Sequence, residues 1–254
     1  MNLNYYQRFT DQIEKISKNE SNKPSLLLQA CCAPCSSHVL SVVAQYFDIT
    51  VFFYNPNIDD KAEYDKRFEE LKRFISEADF TADVKALDGG YGPEEFFKMA
   101  RGRENLPEGD SRCYDCYKLR LKRTAEYAAE HGFDYFSTTL SISPYKKSSW
   151  INEIGMELEQ NMRNKTVDYK DTKDINGANR VNGVCGANST NDVSHANGVN
   201  TPAFLFSDFK KKNGYKHSIQ LSKEYNLYRQ DYCGCIFSKM QRERQLRENE
   251  ERLT

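Results

Sequence analysis

No stretch of this chain is apolar for long enough to span a bilayer as a helix, and its apolar runs stay as short as Ser25 to Ala30. Met1 to Lys15 lacks the cationic and apolar regions of a secretory signal, so a cytoplasmic protein with no membrane partner is expected. An excess of one charge is missing too. The 36 Lys and Arg against 37 Asp and Glu leave a net charge of −1, so any contact with nucleic acid has to come from local basic patches. A reducing compartment also excludes a disulfide scaffold as the use of cysteine. Yet the chain carries eight cysteines. Seven fall into three tight groups and only Cys185 stands alone, a clustering that points to metal or redox chemistry.

At 254 residues the chain suffices for one core, and a single α/β domain is expected. Tyr5 to Ile16 has helical spacing. Ser25 to Ala30 and Ile49 to Tyr54 are short apolar runs of the buried-strand kind, and Thr81 to Leu87 is a weaker one. Helical patterns follow at Cys35 to Tyr46 and at Asp60 to Ala78, where Tyr64, Phe68, Leu71 and Ile75 share a face and the charges point away. Pro93 opens another helix. Tyr114 to His131 is a long one that Gly132 stops, and Phe133 to Ile142 reads as a further strand. Strands alternating with helices predict a parallel sheet covered on both faces, with chemistry at the carboxyl ends of its strands. The first cysteines follow Leu28-Gln29-Ala30 directly. Met162 to Thr201 is rich in Asn and Gly and poor in large apolar residues, so it reads as a disordered insertion, with Cys185 and His195 as solvated bystanders. Order resumes at Ala203 to Phe206, and residues 239–254 form a charged tail, helical over Gln241 to Arg252.

The cysteine groups differ in kind. Cys31 and Cys32 are adjacent and would face opposite sides of a regular strand. Only a turn, favoured by Ala33-Pro34, lets both approach one metal. Cys35 then sits at the start of a helix, where exposed amides lower a thiol pKa. Cys113-Tyr114-Asp115-Cys116 has the two-residue spacing of metal and thiol–disulfide sites and also opens a helix. Spacing alone leaves tetrahedral zinc and an iron–sulfur cluster both open, and the adjacent cysteines favour the cluster. Cys233-Gly234-Cys235 would close into a very small, strained disulfide ring, readily reduced and suited to shuttling two electrons, with a further metal-ligand pair as the alternative. Gly234 supplies the backbone freedom for closure. Tyr232 beside it serves either as a proton donor or in packing.

Several of these segments resemble one family. They are Leu26 to Ser37 with its Cys31-Cys32-Ala33-Pro34-Cys35 core, Phe52-Phe53-Tyr54-Asn55-Pro56-Asn57-Ile58, Arg112-Cys113-x-x-Cys116, Thr138 to Lys146, Ser207-Asp208-Phe209-Lys210-Lys211, and Tyr228 to Cys235. Together they resemble the epoxyqueuosine reductase QueH family over most of Ser25 to Ser238, apart from the insertion. Gln29 departs from the pattern, in which histidine is expected. The resemblance implies a Rossmann-like fold related to the adenine nucleotide alpha hydrolase and ATP pyrophosphatase class. It implies reductive removal of the epoxide oxygen from epoxyqueuosine in tRNA, giving queuosine, without cobalamin. It further implies a [4Fe-4S] cluster on Cys31, Cys32, Cys113 and Cys116, an adjacent mononuclear iron, and a redox-active pair Cys233/Cys235. Cys35 and Asp208 become candidate ligands of that iron, since sulfur and oxygen donors both suit it.

The tRNA would be tracked by Lys146-Lys147, Lys210-Lys211-Lys212 and Lys216-His217, with Tyr145 and Tyr215 for stacking, although charge runs of this kind also occur on ordinary solvated surfaces. The electron donor is not identified. Two rivals stay in view. A tRNA-thiolating pyrophosphatase would need a Ser-Gly-Gly-x-Asp-Ser phosphate loop where Cys31 to Ser36 stands. A zinc-stabilised RNA-binding module would need no catalysis at all.

Overall fold

The computed structural model describes residues 3–18, 23–173 and 201–252, with 166–173 described by their backbone alone. Five strands form one sheet in the order β3-β2-β1-β4-β5, and every neighbouring pair is parallel. The strands are β1 (Ser25–Gln29), β2 (Asp48–Phe53), β3 (Lys85–Asp88), β4 (Tyr135–Thr138) and β5 (Ala203–Phe204). This is an α/β fold of the Rossmann-like kind.

The apolar runs explain why the sheet is buried on both sides. Successive side chains of a strand face opposite ways. Leu26, Leu28, Val51 and Phe53 enter one core, while Leu27, Phe52 and Phe136 enter the other. The first core is closed by α1 (Tyr5–Ser17), α2 (Ala33–Val43) and α3 (Lys61–Glu77) through Phe9, Val39, Leu40, Leu71 and Phe74. The short α4 (Glu94–Ala100) follows β3. The second core is closed by α5 (Ser111–Glu130) and α6 (Ser148–Lys173) through Tyr117, Leu121, Ala125, Ile151 and Ile154. Then come α7 (Gly214–Glu224), packed on α2, and α8 (Ile236–Glu251).

The chain departs from its sequence pattern in several places, among them the strand expected over Thr81 to Leu87, which is a 3-10 turn at Asp79–Thr81 followed by β3. β4 ends at Thr138, and Thr139–Ile142 is a 3-10 turn rather than more strand, because the Thr138 hydroxyl accepts from Leu140 N and caps it. The helix α6 runs through Met162 to Lys173, so the segment read as an insertion begins with helix. Residues 174–200, with Cys185 and His195, lie outside the described residues. In α3 the charges do not all face away, since Arg67 is only 1% exposed. The whole of α7, and α6 from Ser148 to Asn161, are additional to the elements anticipated.

Topology fixes where the site lies. From β1 the chain builds outward to β2 and β3, and it then returns to lay β4 and β5 on the other side of β1. The order reverses between β1 and β4, and a crevice opens there at the carboxyl ends of the strands.

Candidate metal centre

Each loop at that crevice contributes to the site. After β1, Cys31 occupies a bend and Cys32 is the extended N-cap residue of α2, making no side-chain capping bond. Pro34 in the first helical turn starts α2 two residues earlier than the apolar pattern suggested. The turn brings Cys31, Cys32 and Cys35 together, with their sulfurs all within 4.8 Å of one another. Cys31 Sγ and Cys32 Sγ are 3.7 Å apart. The three thiols share protons unequally. Hydrogen bonds from Cys32 and Cys35 hold Cys31 well below the ordinary thiol range, whereas Cys32 is pushed up to about 12, first by its bond to Cys31, and Cys35 is raised well above the ordinary value.

Asp110 caps α5 by accepting from Ser111 N, and Cys113 and Cys116 follow in the first turns. Cys113 Sγ accepts from Gly109 N at 3.3 Å, and burial pushes its pKa up to about 11. Burial raises Cys116 as well. These two thiols line one small cavity with Cys233, Cys235, Asn57, Arg112 and Tyr117. The third group is thereby drawn to the second.

Cys233 and Cys235 are free thiols, which corrects the expectation of a disulfide. The Cys235 sulfur is turned to the N-terminus of α8, where it accepts from Ser238 N at 3.4 Å. A ring with one intervening residue is strained, and the helix end offers that sulfur an unstrained partner. Gly234 between them has φ +120, and a Cβ there would stand 3.0 Å from Arg67 Nη1, so both conformation and space call for glycine. Tyr232 lies under the Arg67 guanidinium at 5.3 Å, and its pKa is raised, first by burial.

Buried cations join the two thiol neighbourhoods. Arg67 donates to Glu63 at 2.6 Å and to the Cys233 carbonyl at 3.3 Å. Arg120 is fully buried and Lys146 is 9% exposed. Burial works against their charges, but Cys116, Cys31 and Cys233 outweigh it for Arg120, and Cys233, Tyr117, Cys31 and Cys35 are among the groups that outweigh it for Lys146. Sequence reasoning missed Arg67 and Arg120. Arg120 had a signal, because it stands four and seven residues after Cys116 and Cys113, on the same helical face.

Lys146 also corrects an expectation. A buried lysine facing thiols does not track phosphates, and its neighbour Lys147 is the exposed one, 3.9 Å from the Trp150 ring centroid. Lys211, Lys212 and Lys216 are exposed, while Lys210 donates to the Lys146 carbonyl. His217 pairs with His38 across the α2–α7 contact. Tyr145 is 75% exposed and Tyr215 half-buried. Asp208 is buried beyond β5, with Oδ1 3.5 Å from Lys210 Nζ and otherwise unbonded, and it is not drawn into the three-thiol group. Gln29 is likewise buried, holding Tyr54 O, Ala30 O and Asn55 and accepting from Thr138.

The sequence matches the profile of the family described as epoxyqueuosine reductase QueH in two stretches, residues 26–189 and 187–241. A relative named epoxyqueuosine reductase QueH in Streptococcus pyogenes serotype M1 is 38% identical over 239 residues, covering 93% of this chain and 79% of the relative. Its namesake in Staphylococcus epidermidis is 37% identical, over 88% of this chain and 79% of that protein. Another in Thermotoga maritima is 31% identical, over 86% and 92%. With these matches spanning the loops that carry all seven described cysteines, the chain belongs to the epoxyqueuosine reductase QueH family.

Proposed function

We propose that this chain is an oxidoreductase that removes the epoxide oxygen of epoxyqueuosine in tRNA, leaving the alkene of queuosine and releasing water. The observation that carries this reading is that two thiol neighbourhoods, Cys31/Cys32/Cys35 and Cys113/Cys116/Cys233/Cys235, both act on the buried cations Arg120 and Lys146. Soft thiolate donors suit a [4Fe-4S] cluster. Arg120 Nε and Nη1 and Arg67 Nη2 are buried without partners beside those thiols, as donors facing a bound anionic group would be. Cys31, Cys32, Cys113 and Cys116 are the proposed cluster ligands. Cys35, within 4.8 Å of Cys31 and Cys32, is the proposed ligand of an iron adjacent to the cluster, and Asp208, which lies outside that group, is a second proposed ligand. When bound, such a centre supplies one-electron transfer and Lewis acidity toward the epoxide oxygen.

The remaining roles belong to the chain itself. Removing one oxygen as water consumes two electrons and two protons. Oxidising the Cys233/Cys235 dithiol to a disulfide releases the same number, and an external reductant would restore the pair. Tyr232, next to Cys233 in the chain and protonated near neutral pH as a phenol is, is the proposed donor near that pair. Exposed Tyr145 offers a face for an unstacked base, and Lys211, Lys212 and Lys216 offer charge for the phosphate backbone of the anticodon loop. The chain acts as one catalytic domain, with the Asn/Gly-rich segment as a dispensable insertion.

Anaerobic assay of metal-loaded protein on tRNA carrying epoxyqueuosine tests the reading. The digested nucleoside should lose the mass of one oxygen, and a variant lacking residues 174–197 should turn over like the full chain. A Cys235→Ser variant should manage at most a single turnover. Unchanged nucleoside with iron-loaded protein would overturn the activity, and full multiple turnover by Cys235→Ser would remove the dithiol from it.

A further inference from the structure

Arg120 sits on the cysteine-bearing face of α5, and none of its surface reaches solvent. Its Nη2 donates to Asn55 Oδ1 at 2.6 Å, while Nε and Nη1 are buried with no hydrogen-bond partner. Among the described residues it makes no salt bridge. The groups that favour its charge are thiols, namely Cys116, Cys31 and Cys233. Leaving a guanidinium unpaired in the interior costs several kcal/mol unless an anion faces it.

Its anchor is itself held firmly. Asn55 Nδ2 donates to Ala30 O at 2.9 Å, and Gln29 Nε2 donates to Asn55 Oδ1 at 3.3 Å and to Tyr54 O at 3.0 Å. Thr138 Oγ1 donates to Gln29 Oε1 at 2.7 Å and fixes the far end of the chain of bonds. All of these partners are neutral, so they orient Arg120 without cancelling its charge. Arg67 differs, because Glu63 lies 2.6 Å from its Nε. Arg120 is therefore a full, pinned positive charge between the two thiol neighbourhoods.

We propose that Arg120 is the internal counter-cation of the thiolate-held cluster, donating from Nε and Nη1 toward cysteine sulfur and raising the reduction potential of the centre. This rests on the reading that the cysteines hold an iron–sulfur cluster. Reduction adds negative charge, and in a low-dielectric interior a fixed cation nearby stabilises the reduced state more than the oxidised one. Arg120 acts through the cluster and its sulfurs, so it is a positioning residue.

The test compares wild type, Arg120→Lys, Arg120→Gln and Asn55→Ala, each purified and reconstituted without oxygen. Iron and sulfide are quantified, and the midpoint potential is read by electron paramagnetic resonance during a dye-mediated redox titration. Arg120→Gln should hold wild-type iron and sulfide with its potential shifted negative. Arg120→Lys, which keeps charge but loses donors, should lie between that variant and wild type. Asn55→Ala, which frees the guanidinium, should shift the same way by less. An unshifted potential in Arg120→Gln at full iron and sulfide would overturn the proposal. Should Arg120→Gln not load, Arg120→Lys decides: a loaded cluster supports a requirement for charge, and an empty one would reduce Arg120 to a structural residue. A wild-type protein that holds zinc and shows no cluster signal would overturn the underlying reading instead, and that failure is visible before any variant is measured.

Discussion

A thiol ligates metal only as thiolate, and the seven thiols here stand in unequal surroundings. Cys31 is held low by two sulfur neighbours, whereas burial lifts Cys113 to about 11. Such inequality gives single cysteines separable roles. Cys31 contacts Cys32 and lies among the groups that act on Arg120 and Lys146, while Cys35 sits on the α2 side of the same cluster of thiols. Cys31→Ser should lose most of both iron and sulfide. Cys35→Ser should keep sulfide and lose only the adjacent iron, with turnover falling by at least about a hundredfold if that iron polarises the epoxide, since such polarisation contributes several kcal/mol. Equal losses of sulfide in the two variants would place Cys35 among the cluster ligands.

Helix α7 is an element that hydrophobic periodicity does not reveal. The residues it buries are Gly214, Ser218, Leu221 and Ser222, so its packing face is made of small and polar groups with a single large apolar one. Smallness is the point. A Cβ on Gly214 would stand 1.9 Å from the Phe209 carbonyl oxygen and 2.5 Å from His38 Nε2. Gly214→Ala should therefore destabilise the fold by about 1–3 kcal/mol, the range for overpacking, seen as a lower urea midpoint. A midpoint equal to wild type would show that α2 and α7 yield freely.

The same contact carries a pH dependence. His38 Nδ1 and His217 Nδ1 are 2.9 Å apart, so one ring donates and the other accepts. Burial, then His217, pushes the His38 pKa down to about 4. The unfolded chain takes up that proton near pH 6.5, so the fold is at full stability above about 6.5 and loses it as pH falls toward 4. Because part of the ring is open to solvent, the loss should be on the order of 1–2 kcal/mol. Urea unfolding between about pH 7 and pH 5 should show it, and His38→Asn should flatten the dependence. An unflattened slope in that variant would move its origin elsewhere.

Over the whole molecule, what the sequence made legible and what it hid divide along physical lines. β1 and β2 were readable because strands buried on both faces are continuous apolar runs, and the parallel order followed from their alternation with helices. The first cysteines were readable as lying at a strand's carboxyl end. The pairing of Cys113/Cys116 with Cys233/Cys235 was not, because it joins segments more than a hundred residues apart and depends on where α8 docks. Nor were buried Arg67 and Lys146, since a charged residue in a polar stretch looks solvated until an anionic partner is known. Both gaps concern long-range contacts that converge on the switch point.

That convergence is best tested by the metal content of the protein expressed and purified without oxygen. A brown protein with roughly four irons and four sulfides per chain, plus iron in excess of the cluster, is the expected result. Colourless protein with stoichiometric zinc and no sulfide would contradict it.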